Sequence, residues 1–368
     1  MWIHEHPDWP HFIWDAASIT DRLASLRHRQ GRLVGRMEGL GFRLRGEAEL
    51  ATLTENVLRS SEIEGDILEP EQVRSSIARR LGIDIGGLLP ADRRVEGVVE
   101  MMLDAAQNSQ APLSAERLYN WHAALFPTGR SGLGRIVVGS WRDDANGPMQ
   151  VVSGPIGKER VHFQAPEAGR LEAEMTHFLD NFNAETAIDP VIKAAIAHLW
   201  FVTIHPFDDG NGRIARAIAD LALARSDRSP QRFYSMSAQI QLERKAYYEI
   251  LEQTQNGPLD ITLWLDWFLA CLDRSLVGAE QTLTAVLTKA RFWEAHSEQP
   301  FNDRQRKIIN LLLDGFDGKL TSSKWAKLGK CSQDTAHRDI VDLMGRHILA
   351  QEGVGRGTAY SLVETDSM

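Results

Sequence analysis

One segment near the middle of the chain constrains the fold more than any other. Residues 190–204 are apolar on almost every side, which predicts a buried helix, and Pro206 ends that helix because proline disfavours helical geometry in the residue before it. A second helical pattern covers residues 212–225. Gly210 and Gly212 allow a tight turn between the two helices. The sequence therefore predicts two adjacent core helices whose junction presents His205.

The junction carries an unusual set of functional groups. Residues 205–216 read HPFDDGNGRIAR and supply an imidazole, a carboxylate, two glycines and two guanidinium groups. The free N–H groups at the start of the second helix, together with its positive dipole end, form an anion site. Arg213 and Arg216 lie three residues apart and can face the same anion. These groups are suited to binding a polyphosphate and its metal ion. The imidazole can act as the base that deprotonates an attacking group. A plain turn with surface arginines is the alternative.

These twelve residues resemble the signature of the Fic family, H-P-F-x-[D/E]-G-N-G-R-x-x-R, at every fixed position. The resemblance implies a mainly α fold with a Fic-type helical core and a β-hairpin flap. It also implies adenylylation, in which AMP from ATP is transferred to a Ser, Thr or Tyr hydroxyl of a target protein and pyrophosphate is released. A histidine near its unperturbed pKa suits the role of base at neutral pH. The implied roles are general base for His205, Mg²⁺ ligand for Asp209, α-phosphate contacts for Gly210, Asn211 and Gly212, a β-phosphate contact for Arg213 and a γ-phosphate contact for Arg216.

Two strand patterns, at residues 149–152 and 160–163, enclose a segment rich in turn residues and predict a β-hairpin. By the resemblance, this hairpin is the flap that aligns the backbone of a target by strand addition. An ordinary surface hairpin is the alternative. The positions expected to face the nucleotide are Val151, Val152, Ser153 and Gly154.

The helical pattern at residues 243–255 resembles the family helix that lines the adenine pocket, with Tyr248 and Gln255 as candidate contacts. Gln255 stands where family members often have Asn, and core packing of the tyrosines is the alternative. His198 lies seven residues before His205 on the same helix face. It could join a metal site with Asp209, but a core histidine is the favoured interpretation.

A second family pattern lies upstream. Residues 60–65 read SSEIEG and resemble the inhibitory pattern [S/T]-x-x-x-E-[G/N]. Glu64, seven residues beyond the apolar Val57, falls on the inner helix face, whereas Glu62 falls on the opposite side. An inward carboxylate needs a partner, and the resemblance implies Arg216. Such a pair would occupy the arginine needed for the γ-phosphate and leave ATP in a non-productive pose. A solvated glutamate near a helix end is the alternative.

We divide the chain into an N-terminal helical module with the inhibitory helix (1–90), a Fic catalytic core (91–299) and a C-terminal module (300–368). Three helix patterns and two strand patterns predict a winged helix-turn-helix in the last module. Residues 301–363 carry ten Lys and Arg against seven Asp and Glu, a net charge of +3. The candidate DNA-phosphate contacts there are His337, Arg338 and Arg356.

Two other functions stay open at this point. One is a nucleotide-sensing transcriptional regulator that binds DNA through the C-terminal module, although such modules also mediate dimerisation or target docking. The other is removal of AMP from a modified protein, with Glu64 positioning water.

Composition argues against several other classes of protein. The net charge of −9 argues against binding of nucleic acid by the whole chain through electrostatic attraction alone. Two cysteines without a CxxC give no support for a disulfide framework or a structural zinc site. Residues 261–272, the most apolar run, are too short to span a bilayer, and the first residues do not form a secretory signal. We expect a cytoplasmic protein without membrane contact that uses ATP and Mg²⁺, with a homodimer as a candidate assembly.

Overall fold

The computed structural model describes residues 1–85, 87–145, 147–155, 158–229, 231–313, 315–316, 318–353 and 358–363. These residues form a mainly helical fold, as predicted, with small two-stranded antiparallel sheets. The helices are α1 (Ala16–Glu38), α2 (Phe42–Ile63), α3 (Pro70–Leu81), α4 (Arg93–Gln107), α5 (Ala115–Leu125), α6 (Leu171–Asn183), α7 (Pro190–Ile204), α8 (Asn211–Asp227), α9 (Met236–Leu242), α10 (Arg244–Gln255), α11 (Thr262–Ala295), α12 (Asp303–Leu313), α13 (Ser322–Leu328) and α14 (Gln333–Gly345). The strands are β1 (Arg130–Ser131), β2 (Gly134–Arg135), β3 (Gln150–Ser153), β4 (Arg160–Gln164), β5 (Leu349–Glu352) and β6 (Ala359–Leu362).

The chain forms two compact units, Met1–Thr282 and Leu283–Met368. The domain boundaries at 90/91 and 299/300 stay predictions. Among the described helices, none combines the length and apolar composition that crossing a bilayer requires.

Helices α7 and α8 form the centre of the first unit and pack along each other. The Asp189 side chain caps α7 by accepting a hydrogen bond from the Val191 N–H (2.8 Å), and Pro190 occupies the first helical position. Helix α7 is buried on nearly all sides because its sequence is apolar all round. The junction between α7 and α8 is therefore set into a rigid core.

A buried polar network joins α8 to the N-terminal helices. Arg232 forms ion pairs with Asp220 (3.1 Å) and Asp227 (2.9 Å), and all three side chains are almost fully buried. The same two carboxylates accept hydrogen bonds from Asn56 on α2 (2.7 Å) and Gln30 on α1 (2.5 Å). Every charge in this network has a partner, which such deep burial requires. The network fixes α2 against α8.

The end of α2 reverses sharply at Gly65, which has a left-handed backbone (φ 83°). The Gly65 N–H donates to the Glu62 carbonyl (2.9 Å), and the Asp66 N–H donates to the Ser61 carbonyl (3.0 Å). This hydrogen-bond pattern is the usual glycine-based C-terminal cap of a helix. It holds the residues on both sides of Gly65 next to α8.

Strands β3 and β4 form the predicted hairpin. They pair antiparallel, with Val151 opposite Phe163 and an irregularity in the register after Val151. Phe163 is 1% exposed and packs edge-on against the Trp2 ring (5.5 Å between centroids), which anchors β4 to the body of the unit.

The second unit contains α12, α13 and α14 followed by the antiparallel pair β5–β6, the order of elements that the sequence predicts. Its core contains Ile308, Trp325, Ile340 and Leu343, each of which is fully buried. His337 and Arg338 are exposed on α14, whereas Arg356 lies outside the described residues. The winged-helix assignment stays a prediction.

Candidate active site

His205 occupies the C-terminal end of α7 with a left-handed backbone (φ 52°, ψ 57°). This conformation is unfavourable for a residue with a side chain, so surrounding contacts must hold it. The buried Arg142 supplies two of them, because its Nε donates to the His205 carbonyl (2.8 Å) and its backbone N–H donates to the Pro206 carbonyl (2.9 Å). The position of the histidine is therefore fixed from outside the motif.

The His205 imidazole is oriented by one hydrogen bond. Its Nδ1 lies 3.1 Å from the Val202 carbonyl oxygen. Because a carbonyl can only accept, Nδ1 carries the proton and Nε2 presents its lone pair. Burial lowers the pKa of His205 to about 4, and the hydrogen bond to the Val202 carbonyl raises it by a smaller amount. The sequence-based expectation of an ordinary pKa was wrong, because the motif does not reveal how much protein surrounds the ring. A bound polyphosphate would raise this pKa again by favouring the charged imidazolium.

The loop between the two helices is held by Asn211 and Gly210. The Asn211 side chain accepts from the Phe207 N–H (3.0 Å) and donates to the Phe207 carbonyl (2.7 Å), so its amide closes the loop. Gly210 is left-handed (φ 83°), and a Cβ there would lie 2.9 Å from the Phe126 ring. Helix α8 begins directly afterwards, and the N–H groups of its first turn point out of the helix end toward any bound anion.

Asp209 lies at the rim of this loop with its side chain 42% exposed. Its carboxylate accepts a hydrogen bond from the Ser131 hydroxyl on β1, and it lies 3.9 Å from Arg213 Nη2. The described residues contain no group of three or more His, Cys, Asp or Glu side chains that could hold a metal ion. Mg²⁺ commonly binds to one or two carboxylates together with substrate phosphates. The hard oxygen donors of Asp209 and Ser131 fit that type of site.

His198 lies in the core, as the favoured interpretation predicts. It is 1% exposed, its Nε2 lies 2.9 Å from the Tyr247 hydroxyl, and its ring stacks on Trp264 with 5.6 Å between centroids. Burial lowers the pKa of His198 to about 3. Its neutral ring is part of the hydrophobic core between α7, α10 and α11.

The structure places the Glu64 carboxylate against Arg216. The distance from Oε1 to Nη2 is 2.9 Å, and the side chains are 30% and 1% exposed, respectively. Arg216 also donates from Nε to the Ser60 hydroxyl (3.0 Å) and from Nη2 to the Ser60 carbonyl (2.8 Å). Burial disfavours the charged form of Arg216. The Glu64 carboxylate, together with other nearby groups, outweighs that effect, so the pKa of Arg216 is raised. Nη1 has no hydrogen-bond partner in the part of the chain that the structure describes.

Gly212 supplies space beside α8 and not an unusual backbone conformation. Its backbone is helical, so no special conformation requires glycine there. A Cβ at this position would lie 2.2 Å from Glu64 Oε1 and 3.2 Å from Arg216 Nη1. Glycine is therefore required for the close approach of the Glu64 carboxylate to α8.

Arg213 is held by a residue that the sequence reasoning missed. Its Nη1 donates to Asp66 Oδ2 (3.1 Å), and its guanidinium lies over the Phe126 ring at 5.0 Å. The Arg213 side chain is 5% exposed, and its Nε has no hydrogen-bond partner among the described residues. Asp66 also pairs with Arg94 (3.3 Å). No local pattern reveals these contacts, because they join residues far apart in the sequence.

The flap residues line an exposed hairpin. Val151 and Val152 are 37% and 47% exposed, and Gly154 is in the left-handed region (φ 103°) where the chain turns. The Ser153 hydroxyl lies 2.6 Å from His162 Nε2, and His162 Nδ1 lies 2.7 Å from the Glu252 carboxylate on α10. His162 thus ties the flap to α10 and also contacts Ser153 across the hairpin.

The two candidate adenine contacts are in different environments. Tyr248 is 39% exposed, and its hydroxyl lies 3.5 Å from the Ile63 carbonyl at the end of α2. Gln255 is 5% exposed and donates from Nε2 to the Thr203 hydroxyl on α7 (3.2 Å). Only Tyr248 therefore faces open space, and the nucleotide role of Gln255 stays a prediction. Arg244, which donates to the Ile63 carbonyl (2.8 Å), also connects α10 to α2.

Comparison with known proteins supports the resemblance seen in the sequence. Residues 112–223 match the sequence model of the Fic/DOC family, and residues 2–83 match a family described as Domain of unknown function (DUF4172). The chain is 28% identical over 235 residues to protein adenylyltransferase Fic of Aedes aegypti, which covers 62% of this chain and 42% of the mosquito protein. A protein of the same name from Nematostella vectensis is 34% identical over 114 residues, which is 30% of this chain and 24% of that protein. The chain thus spans less than half the length of these relatives.

Two solved structures share the fold. One is a Fic family protein from Desulfovibrio desulfuricans G20, with 21% identity, a TM-score of 0.50 and coverage of 94% of this chain and 97% of that chain. The other is a Fic domain containing signaling protein from Bacteroides thetaiotaomicron VPI-5482, with 22% identity, a TM-score of 0.52 and coverage of 72% and 97%. Glu64 lies in the first matched region and Arg216 in the second, so their contact joins the two.

Proposed function

We propose that this chain, which carries a Fic/DOC domain, is a protein adenylyltransferase that Glu64 holds in an inhibited state. It transfers AMP from ATP to a hydroxyl side chain of a target protein and releases pyrophosphate. The observation that carries the proposal is the 2.9 Å contact between Glu64 and Arg216, beside a histidine whose Nε2 is available as a base. The names of the relatives from Aedes aegypti and Nematostella vectensis support the same activity.

The reaction follows from the groups at the junction of α7 and α8. His205 Nε2 takes the proton from the target hydroxyl, and the hydroxyl oxygen attacks the α-phosphorus of ATP. The bond between the α-phosphorus and the bridging oxygen breaks, pyrophosphate leaves, and the proton remains on the imidazole. The first-turn N–H groups of α8 bind the α-phosphate, while Arg213 and Arg216 neutralise the β- and γ-phosphates. Asn211 contributes by keeping the loop closed around Phe207.

Asp209, with Ser131 beside it, would hold Mg²⁺. When bound, the ion supplies charge neutralisation on the phosphate oxygens and orients the leaving pyrophosphate. Ser131 orients the Asp209 carboxylate through its hydroxyl.

The flap supplies a docking edge for the target. β4 is tied to α10 through His162 and Glu252, and no described strand pairs with the outer edge of β3. An exposed strand edge accepts an extended peptide by backbone hydrogen bonds. The exposed side chains of Val151 and Val152 would contact the target there. DNA binding and a homodimer stay predictions from the sequence.

Inhibition follows from competition for Arg216. While Glu64 holds Nη2, only Nη1 remains for a γ-phosphate, and the Glu64 charge repels that phosphate. ATP then binds in a pose that leaves the α-phosphorus out of line with the target hydroxyl.

Intact-mass spectrometry after incubation with ATP and Mg²⁺ tests the proposal through self-modification. The Glu64→Gly variant should gain the mass of one or more adenylyl groups, and the wild type should gain far less. The Glu62→Gly variant is the matched control, because Glu62 pairs with Arg59 at the same helix end instead of with Arg216. Addition of phosphate, or equal modification of the Glu64→Gly and Glu62→Gly variants, would refute the proposal.

A further inference from the structure

The turn after α2 carries a second carboxylate toward the motif. Glu64 and Asp66 flank the left-handed Gly65, whose N–H bonds back to Glu62. On α8, Arg213 and Arg216 lie three residues apart and nearly share one face of the helix. The geometry therefore matches two carboxylates with two arginines, Glu64 with Arg216 and Asp66 with Arg213.

The contact between Asp66 and Arg213 has the features of a strong interaction. The distance from Oδ2 to Nη1 is 3.1 Å, and the Arg213 side chain is 5% exposed, so water competes poorly for that hydrogen bond. Asp66 is 33% exposed, which gives it an open path away from α8. Its other oxygen lies 3.3 Å from the half-exposed Arg94, a partner that it can keep when it leaves Arg213.

We propose that Asp66 is a second inhibitory carboxylate, which a bound nucleotide must displace from Arg213. This inference rests on the proposed function, in which Arg213 contacts the β-phosphate. A phosphate and a carboxylate compete for the same guanidinium N–H groups. The ion pair also cancels the positive charge that would attract the phosphate, and the Asp66 charge repels it.

The two carboxylates act on different parts of the nucleotide. Glu64 occupies the arginine that we assign to the γ-phosphate, whereas Asp66 occupies the one that we assign to the β-phosphate. Removal of the Glu64 charge should therefore improve the binding of ATP more than the binding of ADP. Removal of the Asp66 charge should improve the binding of both nucleotides. This difference separates the two residues experimentally.

Isothermal titration calorimetry with ADP and with ATP, both with Mg²⁺, tests the inference on the full chain. For Asp66→Asn we expect roughly threefold to tenfold tighter binding of both nucleotides, the range that corresponds to the net contribution of one typical intramolecular hydrogen bond. Glu64→Gln should tighten ATP binding more than ADP binding, and the double variant should combine the two effects. Glu62→Gln is the matched control, because its carboxylate pairs with Arg59, and it should leave both affinities unchanged.

Unchanged ADP affinity in the Asp66→Asn variant would overturn the inference. Weaker binding would also overturn it, because Asp66 would then position Arg213 for the nucleotide instead of blocking it. Asp66→Ala provides a second variant if the asparagine variant does not fold. If Glu64→Gly adds AMP to the protein while Asp66→Asn leaves nucleotide affinity unchanged, only this inference fails. If Glu64→Gly adds no AMP at all, the proposed function fails, whatever the affinities are.

Discussion

The substitution Glu64→Gln tests whether the ion pair with Arg216 blocks nucleotide binding. Glutamine has the same size, removes the charge and still offers an acceptor oxygen to Arg216. If Glu64 competes with the nucleotide, the free energy that the pair gives to the free protein is also the free energy that the nucleotide must overcome. The substitution should therefore lower the free energy of unfolding and strengthen ATP binding by the same amount of free energy.

The magnitude follows from the surroundings of the pair. Exposed ion pairs contribute about 0.2–1 kcal/mol, and removal of one partner from a fully buried pair costs about 3–5 kcal/mol. Arg216 is 1% exposed and Glu64 is 30% exposed, and Arg216 keeps its two hydrogen bonds to Ser60. We therefore expect a loss of about 1–2 kcal/mol in the free energy of unfolding. The corresponding gain in ATP affinity is about 5- to 30-fold, because about 1.4 kcal/mol corresponds to a tenfold change.

Urea unfolding and isothermal titration calorimetry measure the two quantities on the same preparations. Glu62→Gln is the control, and it should change stability by no more than about 0.5 kcal/mol, because its pair with Arg59 is exposed. If Glu64→Gln lowers stability as expected but leaves ATP affinity unchanged, the ion pair is structural and the reasoning fails.

Three further predictions follow from the site. His205→Ala should lower adenylylation by the Glu64→Gly variant at least about 100-fold without lowering the thermal unfolding temperature appreciably, and retained labelling would show that another base operates. Burial lowers the pKa of His122 on α5 and of His205 to about 4 and that of His198 to about 3, so below about pH 6.5 the unfolded chain binds more protons than the folded chain. The free energy of unfolding should be highest above about pH 6.5 and fall toward about pH 4, by up to about 1.4 kcal/mol per pH unit for each histidine. A free energy of unfolding by urea that is the same at every pH in that range would contradict this. Ser131→Ala should raise the Mg²⁺ concentration for half-maximal adenylylation at least about tenfold, because the Asp209 carboxylate loses the hydroxyl that orients it, and an unchanged Mg²⁺ titration would exclude that role.

The sequence predicts the centre of the fold well because its signals there are local. The apolar period of residues 190–204, the proline after His205 and the glycines of the turn place α7, the junction and α8 within a few residues of their positions. Helix α3 was not predicted, because most of its positions are polar and only Val73, Ile77 and their neighbours are buried. The pattern around Glu64 indicated its partner only through the family resemblance.

The remaining features of the site depend on contacts between distant parts of the chain. Arg142 fixes the backbone of His205, and Asp66 holds Arg213, but neither pairing leaves a periodic or spacing signal. The low pKa of His205 likewise arises from the protein packed around it. Gly212 was expected to allow a tight turn and to contact the α-phosphate, and the sequence did not indicate that the Glu64 carboxylate fills the space beside it.

The most direct test of the central claim follows the two ends of ATP separately. The Glu64→Gly variant is incubated with Mg²⁺ and ATP that carries a radiolabel at either the α- or the γ-phosphate, and protein-bound label is counted. We predict that the α-label is retained on the protein and the γ-label is not, because the bond beyond the α-phosphorus breaks. Retention of the γ-label, or of neither label, would contradict the account.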